Sequence, residues 1–348
     1  MEHVKCDIAV TGYSAVSSAG IGIRSVFDAV HRGDSCLKPI PVDLSGVKAG
    51  HYWGKVDQFK VTDFIAPLKA RKFDRASQFS VAVAGLALAD AGIDKGTIPS
   101  ERIGIALGSG FGGIANASEF LSGYYKAGVS GLSPMLFPNT VANAAASNAS
   151  IEHGLKGPNI TFIQRFCSAE SAVMAACRFI EEGRVDVMLA GGVDELNPQM
   201  IRGFAATGQL TRSASGFGEG CGMLVLERGS HAKERGATIK AQITGINVVG
   251  FLLPGAEKQG VSHLLQGQQS CEQLTVSGIE SAAQPFLAVL KAASIYCPGP
   301  LIGRSLAMGG TVLGLLVSSL QDGEQGLHLA VSPEGPYYAI SLTGGSSA

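Results

Sequence analysis

A chain of 348 residues has room for one large buried core or two smaller ones. Its net charge of −1, without any basic stripe, excludes an electrostatic case for nucleic acid or an anionic membrane surface as partner. Charged residues make up 16% of the chain against a usual share of about 25%, and the 47 glycines are roughly twice the usual share, so many tight strand-to-helix turns and extensive burial are expected, including burial against another subunit.

In chain order, residues 1–20 enter a strand-like run almost at once. Glu2 and Asp7 stand where an export signal would be basic and then apolar, so no such signal is expected. Residues 8–12 read as a strand and residues 23–32 as a helix, followed by a helix over 76–91 and a strand over 102–110. The glycine-rich loop at 108–113 follows that strand. It lacks the strict G-x-G-x-x-G spacing and a downstream acid about 20 residues on, so no dinucleotide site is expected there. Ile114, Ala117 and Leu121 fall at i, i+3 and i+7, on one helix face, which by itself suggests ordinary core packing.

Residues 157–195 read as strand, sharp turn, helix and second strand, the layout of a nucleophile site. Residues 222–227, 231–237 and 238–248 then read as strand, short helix and strand. The apolar run 305–320 is interrupted by Gly309, Gly310 and Gly314 and is too short and too polar to span a membrane; a buried helix is expected. Strands separated by helices predict an α/β layered fold. No fixed-period repeat is visible. The seven cysteines (Cys6, Cys36, Cys167, Cys177, Cys221, Cys271 and Cys297) are scattered without C-x-x-C pairs, which fits free thiols in a reducing cytoplasm and neither a disulfide framework nor a metal site. His153 and His263 lie in no motif and read as structural or surface residues.

Several motifs recur in order in a known family. The run 157–195, with its Gly-Pro-Asn start and Asp-Val-Met-Leu-Ala-Gly-Gly strand, resembles the active-site segment of the β-ketoacyl synthases. Residues 10–20 resemble that family's opening strand and loop, residues 71–92 its first long helix, and residues 216–227 the strand with its Gly-Glu-Gly signature. The resemblance implies a thiolase-like fold, five-layered αβαβα from two related halves. The halves are expected at 1–236 and 237–348, the C-terminal one shortened, with two subunits pairing through the strand that leads to the nucleophile.

Counting forward from Gly157 or back from Ala190, the family's nucleophile falls on Phe166, and the cysteine, Cys167, is one place late. Phe166 has no lone pair and no titratable proton. A side chain displaced by one residue around a tight turn is re-aimed, so Cys167 stands only as an alternative nucleophile. The family's first catalytic histidine falls on Ile279 and its second near Gly310, with Arg304 close to the lysine that precedes it. Residues 341–348 resemble its Phe-Gly-Gly-Thr-Asn loop.

The resemblance therefore points to the chain-length factor, the silent subunit of type II polyketide ketosynthase heterodimers, with no catalytic residue, cofactor or metal of its own. In that role Ile114, Ala117, Leu121 and Phe166 border the acyl tunnel and limit chain length. The expected partners are a ketosynthase α subunit, an acyl carrier protein and the growing polyketide chain, an aromatic polyketide such as an anthraquinone, or an aryl polyene. The rival readings are an active synthase or acyltransferase using Cys167, and a purely structural stabiliser of a partner ketosynthase.

Overall fold

One sixteen-residue strand, β1 (Glu2–Ser17), ties two sheets together, because each of its edges pairs with a different half of the chain. The computed structural model describes all residues except 1, 42–43, 45–46, 48–49, 211–215, 253–254, 267, 333–334 and 346–348, and of residues 2–6 the backbone alone. Residues 8–16 of β1 run antiparallel to β5 (Gly220–Arg228), and residues 2–10 run antiparallel to β6 (Ala241–Val249). Beyond β5 lie β4 (Val187–Asp194), β2 (Ile103–Gly108) and the edge strand β3 (Asn159–Phe162). Beyond β6 lie β10 (Tyr337–Gly344), β9 (Gln325–Val331), β7 (Ser270–Gly278) and the edge strand β8 (Lys291–Tyr296). Read inward from each free edge, both halves have the order third, second, fourth, fifth, first. The repeat that the sequence hides is thus plain in the topology.

Side-chain alternation builds the layers. In β4, Val187, Leu189 and Val193 point to one core, and Met188 and Ala190 to another. In β5, Met223 and Val225 share the first core, while Leu224 and Leu226 share the second. Strands apolar on both faces need cover on both, and helices supply it.

On the outer face of the first sheet pack α2 (Arg75–Asp90) and α4 (Ala144–His153). Asp74 starts α2 by accepting the Ser77 N–H at 2.8 Å. Between the sheets lie α5 (Ser168–Glu181) and α9 (Gly309–Ser319), with Ala172, Ala176, Ile180 and Leu313 meeting Ile243, Ile340 and Leu342 of the second sheet. The second sheet's outer face is covered by α8 (Glu257–Leu265) and a short turn at Gln284–Leu287, thinner cover than the first sheet has. The layers are those of the thiolase-like five-layered αβαβα arrangement. Four further helices are α1 (Ile23–Arg32), α3 (Ile114–Ala127), α6 (Pro198–Ala206) and α7 (Gly229–Glu234).

Two expectations are corrected here. The segment around Ser341–Gly344 is not a loop. It is the end of β10, hydrogen-bonded to β6 on one side and β9 on the other, and the loop between the last two strands comes earlier, around Gly335 and Pro336. Residues 346–348 of the same motif lie outside the described residues. The run 305–320 is a buried helix only from Gly309, and among the described residues no helix is long and apolar enough to cross a membrane.

Candidate functional site

The turn from β3 into α5 carries two non-glycine residues in the left-handed region, Arg165 at φ 56° and Cys167 at φ 70°, with Phe166 between them. Such backbone is strained for side chains with a Cβ and persists only where its surroundings hold it. Here Ser168 holds it: its Oγ donates to the Arg165 carbonyl at 2.6 Å and accepts the Gln164 N–H at 2.9 Å. Ser171 adds contacts one turn on, with Cys167 O at 3.1 Å, Gln164 Oε1 and Tyr338 Oη at 2.8 Å.

Phe166 is half-buried against the core between the sheets. Cys167 is the N-cap of α5, a place that ordinarily favours a thiolate, yet its side chain is buried and its Sγ donates to the Pro336 carbonyl at 3.2 Å. Burial, and after it the Glu170 carboxylate, push this thiol well above its ordinary value. The turn therefore places a buried thiol, engaged with the Pro336 carbonyl, beside a half-buried phenyl ring.

The segments of Ile279 and of Gly309 and Gly310 approach this turn through Glu170, a residue in none of the motifs read from the sequence. Glu170, in the first turn of α5, accepts from Ser277 Oγ at 2.7 Å and bonds His328 Nε2 at 2.9 Å. Ser277 is the penultimate residue of β7, two before Ile279, which is half-buried and donates its N–H to Val331 O at 3.1 Å. His328 lies on β9, facing inward, and its Nδ1 is 3.0 Å from Thr275 Oγ1. Gly309 lies so close that a Cβ there would stand 2.1 Å from Glu170 Oε1. A buried Glu–His–Ser–Thr cluster thus fills the space beneath the turn.

Gly310 does not face that space. A Cβ on it would meet the Gly222 carbonyl at 2.0 Å and Gly191 Cα at 2.9 Å, so this position packs helix backbone directly on strand backbone and has no room for an imidazole. Arg304 is committed to Glu280, the residue after Ile279, with Nε 2.9 Å from Oε2.

His153 and His263 stand on α4 and α8, in the two outer layers, and His153 Nε2 contacts the Val81 carbonyl at 2.7 Å. The glycine-rich loop after β2 is held by Asp194, which accepts from Gly110 N at 2.7 Å and from Ser109 Oγ at 3.2 Å, and also from Ser305 Oγ and Ala307 N. Among the described residues no three His, Cys, Asp or Glu side chains cluster as metal ligands. Cavities of about 510 and 760 Å³ open on the outer layers, and neither is lined by Phe166, Cys167, Ile279 or Gly310.

The helix that carries Ile114, Ala117 and Leu121 is not core. No residue of α3 is buried; Ile114 rests partly on a cluster with Met200 and Phe204, Ala117 is half-buried and Leu121 is half-exposed. The simplest expectation from the i, i+3, i+7 spacing is thereby overturned. The apolar residues continue along the surface: Tyr124, Tyr125, Val129, Met135, Phe137 and Val141 are all exposed, as is Ile163 just after the edge strand β3. Exposed apolar runs and free strand edges are features that interaction surfaces commonly carry.

Comparison with known proteins agrees with this layout. A family model for the β-ketoacyl synthase N-terminal domain matches residues 5–232. The 3-oxoacyl-[acyl-carrier-protein] synthase 2 of Vibrio harveyi is 31% identical over 292 residues, which cover 78% of this chain and 70% of that protein. Among solved structures, the ishigamide ketosynthase/chain length factor superposes with a TM-score of 0.81 at 21% identity, over 97% of this chain and 99% of that one. A type II PKS acyl-carrier protein in complex with its ketosynthase bound to the hexaketide gives a TM-score of 0.80 at 21% identity, with the same coverage. At that identity the two structures speak for the fold.

Proposed function

The chain belongs to the β-ketoacyl synthase family, and from that premise we propose that it is a non-catalytic subunit, a chain-length factor that pairs with an active ketosynthase in type II polyketide synthesis. The observation that carries the reading is the turn itself. Decarboxylative condensation needs a thiolate to hold the acyl chain and donors for the enolate that forms on loss of CO2. In this reading Phe166 stands where the thiolate would be, and the neighbouring thiol is buried, bonded to Pro336 and pushed above its ordinary pKa by that burial. The exposed apolar run from α3 to Val141, with the free edge of β3, supplies the surface for the ketosynthase. The substrate in this reading is the growing polyketide on an acyl carrier protein, the kinds of partner named for the two superposed structures.

Cys167→Ala in the reconstituted complex is expected to leave polyketide output within a few-fold of wild type, measured by product quantitation. An active synthase is the second reading, favoured by the 31% identity to a protein named as one. It requires a loss on the order of 10³-fold or more for the same variant.

The partner surface has its own test. Leu121→Asp with Tyr125→Asp places two carboxylates on exposed positions, which changes the chain's own stability by about 0.5 kcal/mol or less. The expected result is loss of co-purification with the ketosynthase, at least about 100-fold in affinity, as for paired hot-spot losses. Unchanged co-purification would remove α3 from the interface.

A further inference from the structure

The first turn of α3 is tied to the sheet by a carboxylate that also ties down α2. Glu195, directly after β4, accepts from Ala115 N of α3 at 3.0 Å through Oε1 and from Ala76 N of α2 at 3.3 Å through Oε2. Both helix N-termini favour an anion there. Against this, the space is crowded with acid. Asp74 is buried beside it, with Oδ1 on Ser77 N, no partner for Oδ2, and that oxygen 3.2 Å from where a Cβ on Gly113 would be, at the N-cap of α3. Glu219 faces the same space, but its charge is answered by Arg75 at 2.8 Å and Lys55 at 3.1 Å. Among the described residues, Asp74 and Glu219 are the acidic groups that act on Glu195, and Arg75 and Lys55 reach this space through Glu219. On α3 the first charged residue is Glu119, which is exposed.

Because α3 buries no residue of its own, this anchor weighs heavily in where the helix sits. We propose that the Asp74–Glu195 pair is a proton-held latch that seats α3, so that the surface offered to the partner ketosynthase is linked to pH. The partner half of this statement rests on the chain-length-factor reading; the latch does not.

The direction follows from burial. Desolvation first, then Asp74, push the Glu195 carboxyl from 4.5 up to about 7, and desolvation raises Asp74 as well. A carboxyl raised in the seated state and ordinary in the opened state stabilises seating fully below pH 4.5, and that contribution is lost as pH rises through about 7. Opening of α3 is therefore promoted by base, about tenfold between pH 6 and pH 8.

The test is amide exchange by mass spectrometry on peptides spanning 111–131, using the full chain carried in solution as a maltose-binding-protein fusion. Comparing wild type with Glu195→Gln at the same pH cancels the chemistry of exchange itself. The expected result is that the ratio of wild-type to variant exchange rises about tenfold from pH 6 to pH 8. A ratio constant within twofold overturns the latch. Asp74→Asn keeps a side-chain oxygen for Ser77 N, removes the neighbouring charge, and is expected to reduce the wild-type rise without abolishing it, because the desolvation of Glu195 remains. If it leaves the rise intact, Asp74 is no part of the latch and the pair as proposed is wrong. Failure of the chain to co-purify with a ketosynthase at pH 6, where α3 is seated, counts against the partner reading alone.

Discussion

Complexes carrying Ala117→Phe are expected to release products shorter by one or more ketide units while early condensations keep their rate within about threefold. The added ring lies on a half-buried position of a helix with no buried residue, so within this chain alone the substitution costs about 0.5 kcal/mol or less. Only when a second subunit closes over α3 does the ring meet a packed wall, where overpacking typically costs about 1–3 kcal/mol. A growing acyl chain that needs this space is then stopped early. Product masses from wild-type and variant complexes decide the matter, alongside a thermal melt of the variant chain. Unchanged lengths with an unchanged melt would place Ala117 outside the tunnel and bring the stabiliser reading forward. Ile114→Ala is a poorer probe, because Ile114 also rests on the cluster with Met200 and Phe204 and its loss disturbs the fold as well as any tunnel.

Glu219→Ala is expected to be the most damaging single substitution to stability. Glu219 is fully buried and takes hydrogen bonds from Arg75 Nε and Nη2, Lys55 Nζ, Val56 N and Leu196 N, all between 2.8 and 3.1 Å. Removing it leaves two cations and two buried N–H groups without their acceptor. Breaking a buried pair in this way costs about 3–5 kcal/mol. Arg75 and Lys55 each keep about a quarter of their side chain exposed and can turn toward water, so the low end, about 3 kcal/mol, is expected. Calorimetry should show this as a fall in Tm of about 4 °C. A fall under about 2 °C would mean that the surrounding backbone relaxes enough to rehydrate the site.

The same carboxylate explains why two separated motifs occur together. Residues 71–92 and 216–227 each carry a family resemblance, and the structure joins them at Arg75 and Glu219. Nothing in their spacing announces that contact. His328 and Glu170 are a similar case: one residue on β9 and one on α5, 158 positions apart, meet only because α5 is pressed between the two sheets.

The alternation of apolar residues in β4 and β5 and the glycine-interrupted helix at α9 are local properties, and they are legible without any tertiary information. So is the spacing that, in the proposed reading, sets Phe166 at the family's nucleophile position, since it runs along one continuous strand–turn–helix segment. What the sequence could not say is where Cys167 points, because a side chain's direction at φ 70° depends on the loop of Pro336, 169 residues away, that receives its thiol. Nor could spacing tell core from surface for Ile114, Ala117 and Leu121. Periodicity reports only that three residues share a face; whether that face meets a sheet, a solvent boundary or another subunit is decided by the packing of everything else, and here the packing leaves it uncovered. The surroundings of Gly310 are hidden for the same reason, since a glycine required for close helix–strand contact looks like any other until the Gly222 carbonyl is seen 2.0 Å from where a side chain would begin.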